Sequence, residues 1–77
     1  MTFKEIVKRE WPRRPIRITV GKTEIYMGIN SSGLNQMRSE VVDWLDNHEL
    51  LHCWSSKREV ELVYKGSEKF NRLIFKE

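Results

Sequence analysis

The sequence predicts an α+β fold: a short N-terminal helix, a β-hairpin, a central amphipathic helix and a second β-hairpin (αββαββ), with an antiparallel sheet packed on the central helix. Apolar residues alternate over residues 16–29 and again from Val60 to Tyr64, which is the period of a half-buried strand. Between these runs Leu34, Met37, Val41, Trp44, Leu45 and His48 recur at helical spacing, and turn-forming residues separate the segments. With 77 residues the chain is one domain (1–77), read as a helix plus a basic extended arm over 1–15 and a compact ββαββ core over 16–77. A 39% hydrophobic and 32% charged composition excludes the disordered class.

Thr2-Phe3-Lys4-Glu5 fits a capping box, and Phe3, Ile6 and Val7 follow at i, i+3 and i+4, so a helix is expected over 3–10. Pro12 and Pro15 stop it, leaving 11–15 extended. A two-residue Gly21-Lys22 loop then sets Val20 against Thr23, Ile18 against Ile25, Ile16 against Met27 and Arg17 against Tyr26. That register puts every apolar residue on one face, and glycine at the first loop position suits a type II′ turn.

Asn30-Ser31-Ser32-Gly33 reads as a turn and cap before the central helix, which ends near His48 to Leu51; residues 51–54 either finish its last turn or begin a short strand. In the second hairpin, a loop at Lys65 to Glu68 sets Val60 against Leu73 and Glu61 against Arg72. Val63, Phe70 and Ile74 then fall on the outer side. Large apolar side chains there call for a cover, from the N-terminal helix or from another chain, including a twin subunit in a homodimer.

His48-Glu49-Leu50-Leu51-His52 resembles H-E-x-x-H, the zincin metallopeptidase signature. The resemblance implies two histidines on a helix holding Zn²⁺ and a glutamate polarising the metal-bound water. On a continuous helix the two imidazoles fall about 40° apart. The metzincin extension requires Gly at 55 and His at 58, where Ser55 and Arg58 stand, and no third ligand is indicated. The serines sit in no nucleophile elbow, and Cys53 beside His52 is not a dyad. The reading adopted is non-enzymatic, with no catalytic residue, cofactor or metal. In it His48 is a partly buried core residue, His52 caps the helix end and Cys53 is a buried thiol.

What remains is surface. Lys8, Arg9, Arg13, Arg14 and Arg17, interleaved with Trp11 and near Tyr26, form a basic cluster suited to nucleic acid or an acidic partner. Glu40, Asp43, Asp46 and Glu49, together with Val63, Phe70 and Ile74, form a second surface suited to a protein partner. The net charge of +3 is mild for a dedicated nucleic-acid binder. The expected function is therefore a small binding protein that docks on and modulates a larger protein or nucleoprotein complex. Phage and mobile-element accessory proteins of this size, including inhibitors and anti-defence proteins, are the analogy. The alternative is a nucleic-acid-binding module using the basic arm and first hairpin. No run approaches eighteen apolar residues, so no membrane span is expected. A single cysteine and the lack of an apolar leader run after Met1 lead to the expectation of a cytoplasmic protein.

Overall fold

The structure is a computed structural model and describes residues 1–75. In chain order the elements are α1 (Phe3–Glu10), β1 (Ile16–Val20), β2 (Thr23–Met27), a 3-10 turn (Gly33–Gln36), α2 (Ser39–Asn47), β3 (Leu50–Ser55), β4 (Val60–Tyr64) and α3 (Glu68–Ile74). The strands form one sheet in the order β2-β1-β4-β3.

At the start of α1 the capping box is made: the Glu5 N–H donates to Thr2 Oγ1 at 3.2 Å and the Thr2 N–H to Glu5 Oε1 at 2.7 Å. A further orphan N–H, that of Lys4, donates to Asp46 Oδ1 of α2 at 3.0 Å, so one helix caps the other. The chain does not run extended through residues 11–15 as expected. Residues 11–13 form a turn in which the Arg14 N–H donates to the Glu10 carbonyl at 2.9 Å. The basic arm is thereby folded against the body.

The first hairpin has the expected register, Val20 opposite Thr23, Ile18 opposite Ile25 and Ile16 opposite Met27. Gly21 has φ 62° while Lys22 is not at positive φ, which is the type II′ pattern.

The sheet is mixed, not antiparallel: β1 pairs with β4 in parallel, with Ile16, Ile18 and Val20 beside Val60, Leu62 and Tyr64. The two hairpins join through the strands whose inner rows are wholly apolar, and those rows are fully buried. Where both strands end, the backbones touch; a Cβ on Gly21 would stand 2.8 Å from the Gly66 Cα.

The second hairpin is displaced by one element from the sequence expectation. β4 pairs with β3, not with residues 70–75: Ser55 faces Val60 and Trp54 faces Glu61. Its loop is closed by Ser56, whose Oγ accepts the N–H of Arg58 at 3.1 Å and of Glu59 at 3.2 Å. The segment expected as the last strand is α3. Ser67 caps it by accepting the Phe70 N–H at 3.2 Å, and Arg72 pairs with Glu68 at 2.9 Å one turn away. Phe70 is consequently in the core with no exposed surface, and Ile74 is half-buried on α3; neither lies on an outer sheet face.

The central helix is also shorter than its periodicity suggests. Leu34 belongs to the 3-10 turn, and α2 begins only at Ser39. Gly33, at φ 64°, lets the chain pass under Trp11; a Cβ there would meet the Trp11 ring at 2.8 Å. Core residues of α1 (Phe3, Ile6, Val7), α2 (Val41, Val42, Trp44, Leu45) and α3 (Phe70) share one cluster with the inner rows of β1 and β4. Each such side chain contributes on the order of 1.5–3 kcal/mol by leaving water. The helices α1, α2 and α3 thus lie on one face of the sheet.

Candidate binding surface

Among the described residues the opposite face of the sheet is bare. Strand pairing lines up Tyr26, Arg17, Glu61 and Trp54 in one cross-strand row, and Glu24, Thr19, Val63 and His52 in the next. Tyr26 and Trp54 stand at the two ends of their row, each 51% exposed. Between them Arg17 is held by charge. Its Nε lies 3.2 Å from Glu59 Oε2, its Nη1 3.3 Å from Glu24 Oε1, and its guanidinium carbon 5.7 Å from the Tyr26 ring centre. The Glu59 hydrogen bond, and then the charges of Glu59 and Glu24, raise the Arg17 pKa further above its ordinary value. One arginine against Glu24, Glu59 and Glu61 leaves this face acidic.

The basic cluster is largely compensated. Glu10 is only 5% exposed and receives Arg9 Nε at 2.8 Å and Arg14 Nη1 at 2.7 Å. Burial pushes its carboxyl up, but the two guanidiniums outweigh that and hold it below the usual carboxylate value. Arg13 caps α1 by donating to the Arg9 carbonyl at 2.8 Å. Trp11 is an anchor: its Nε1 donates to the Gly28 carbonyl at 2.9 Å and its ring covers Gly33. Among the described residues Lys8 and Arg13 are the members of the cluster without a carboxylate partner.

Of the acidic set, Glu40, Asp43 and Glu49 are exposed, whereas Asp46 is half-buried and tied to α1 through the Lys4 backbone and, at 3.6 Å, its Nζ. Of the apolar partners proposed beside it, only Val63 lies on the bare face.

The His-Glu-Leu-Leu-His segment crosses from helix to strand. α2 ends at Asn47, so the helical geometry that would bring His48 and His52 to one ion does not form. His48 stacks on Trp44 with ring centres 3.8 Å apart, and its Nδ1 lies 2.7 Å from the Trp44 carbonyl. His52 sits on β3 opposite Val63 and does not cap a helix. Cys53 is exposed rather than buried. Among the described residues no group of three His, Cys, Asp or Glu is placed to hold a metal ion.

Trp44, His48, Leu51, Lys65 and Ser67 border a shallow cleft of about 350 Å³. The Trp44 indole N–H is buried without an acceptor among the described residues, and its ring packs on those of Tyr64 and Phe70. Trp54, Thr19 and Glu24 complete the bare face and were not foreseen as site residues; His52, weighed above as a metal ligand and a helix cap, joins them there. The signal for Trp54 was its place just before Ser55-Ser56, a turn pair that ends a strand.

No helix among the described residues is long and apolar enough to cross a membrane. Comparison with family models, curated proteins and solved structures found no match.

Proposed function

We propose that this chain is a small binding protein without a reactive centre, which docks on a larger protein through the bare face of its sheet and modulates it. The observation that carries the reading is the one-sided layering: every helix packs on one face, and the other presents Tyr26 and Trp54 half-exposed around an Arg17–glutamate network. Aromatic side chains with little rotamer entropy are efficient anchors, and flanking charges set orientation. Because glutamates outnumber the arginine there, the fitting partner surface is basic. The kinship with inhibitor and anti-defence accessory proteins, and a cytoplasmic site of action, rest on size and composition.

Nucleic acid is the second reading, favoured by the two exposed aromatic faces. The pairing of Arg9 and Arg14 with Glu10, and of Arg17 with Glu24 and Glu59, weighs against it.

Affinity purification with the tagged chain tests the proposal. One stoichiometric protein is expected on the wild type and lost from the Tyr26→Ala, Glu61→Lys double variant at unchanged Tm. Equal retention by that variant, or recovery of no protein, overturns it.

A further inference from the structure

We propose that the chain forms a homodimer by antiparallel pairing of β3 with the same strand of a second copy, centred on Cys53. β3 is an edge strand, and its far side pairs with nothing among the described residues. Its sequence, Leu-Leu-His-Cys-Trp-Ser, contains no Lys, Arg, Asp, Glu or Pro, the residues that ordinarily protect a sheet edge. Five of its six residues are exposed, with Leu51 at 59% and Trp54 at 51%. The other edge is guarded: β2 carries Glu24, and its Thr23 is buried with Oγ1 2.5 Å from Asn71 Oδ1 of α3.

A second copy fits this edge better than a foreign strand because the edge is complementary to itself. Glu49 precedes β3, and Lys57 and Arg58 follow it. A two-fold axis at Cys53 runs the two strands antiparallel, so Glu49 of each copy, beyond the bulge at Leu51, lies toward the end of the other strand that carries Lys57 and Arg58. Opposite charge thus meets at both ends of an uncharged strand. His52 lies beside Trp54 of the second copy on the bare face, and the two Cys53 residues face each other. Pairing the six residues of β3, Leu51 and Trp54 among them, buries on the order of 1,000 Å² in all, near the lower bound for a specific interface, so the dimer is expected to dissociate at about micromolar concentration. The bare faces of the two copies then form one continuous surface.

Sedimentation equilibrium from about 1 μM to about 1 mM tests this, with Leu51→Lys and Trp54→Lys as variants at exposed positions. The wild type is expected to move from monomer to dimer over that range, and both variants to remain monomeric with unchanged circular dichroism. Diamide, which is reduced to its hydrazine as two thiols join, is expected to crosslink the wild type through Cys53 and not Leu51→Lys. A wild type that stays monomeric throughout, a dimer indifferent to both lysines, or a dimer giving no more Cys53 crosslink than Leu51→Lys overturns the proposal. Binding of the protein-partner kind proposed above is read at Tyr26, outside β3, so either idea fails without the other.

Discussion

Glu10 shows how one side chain converts a basic segment into structure. A carboxylate buried beneath Arg9 and Arg14 holds the helix end and the turn after it together. Replacing it with glutamine leaves two guanidiniums without their acceptor, and with both arginines partly solvated the expected loss at neutral pH is about 1–2 kcal/mol. Because the folded-state pKa lies below the ordinary 4.5, this stability is fully present above pH 4.5 and is lost as pH falls through the lowered value. Urea unfolding of wild type and Glu10→Gln should therefore differ at pH 7 and converge in acid. The sign reverses at Tyr64, whose phenol is pushed up to about 12 by burial, then by Asp46 and Cys53. Its contribution is complete below pH 10 and is lost as pH rises from there toward 12, so Tyr64→Phe should resist alkaline unfolding better than wild type. Gly33 is the backbone counterpart. Alanine there is strained at φ 64° and strikes the Trp11 ring, so Gly33→Ala is expected to destabilise by about 1–3 kcal/mol, measured as a fall in Tm.

Among the elements, α3 is the one on which the sequence reading and the structure part. If residues 70–75 were a strand with Phe70 outward, Phe70→Ala would change stability little. With Phe70 fully buried on a helix, the loss is expected to be about 3–5 kcal/mol, a large share of the roughly 4–12 kcal/mol that a domain of this size has in all. Ser67→Ala removes only the cap and should cost about 1 kcal/mol in the same chemical denaturation series. The information was present in the chain: Ser67 followed by Glu68, and Phe70, Leu73 and Ile74 at helical spacing. A short apolar run reads equally well as strand or helix, and what decides it is which segment completes the sheet beside β4. The first hairpin was fully legible because loop length and alternation together permit one register. Parallel pairing of β1 with β4 was not, since nothing local distinguishes two apolar rows meeting head to head from head to tail. The same long-range contact decided the site. Tyr26 and Arg17 were visible as neighbours, but Trp54 joins their row only once β4 lies between β1 and β3.

At the scale of the whole molecule, the net charge of +3 says less than how the charges are spent. Arg9, Arg14 and Arg17 are engaged with glutamates, and the bare face carries a negative excess, so within the N-terminal cluster Lys8 and Arg13, without a carboxylate partner among the described residues, remain to meet phosphates. Two contacts release about two counterions, which sets a slope near −1.8 for log K against log salt on duplex DNA. Affinity for a generic oligonucleotide is therefore expected to fall only about tenfold between roughly 50 and 200 mM salt, from a starting value already weaker than about 10⁻⁴ M. Fluorescence anisotropy with a labelled duplex and a labelled single strand measures both quantities. A slope of about −4 or steeper would mean that Arg9, Arg14 and Arg17 leave their carboxylates for phosphate or that cations outside the cluster, such as Lys57 and Arg58, join the contact. Where those arginines move, Glu10 is left buried without its partners, a cost drawn from the binding free energy, so Glu10→Gln is then expected to bind the duplex more tightly than the wild type in the same anisotropy titration.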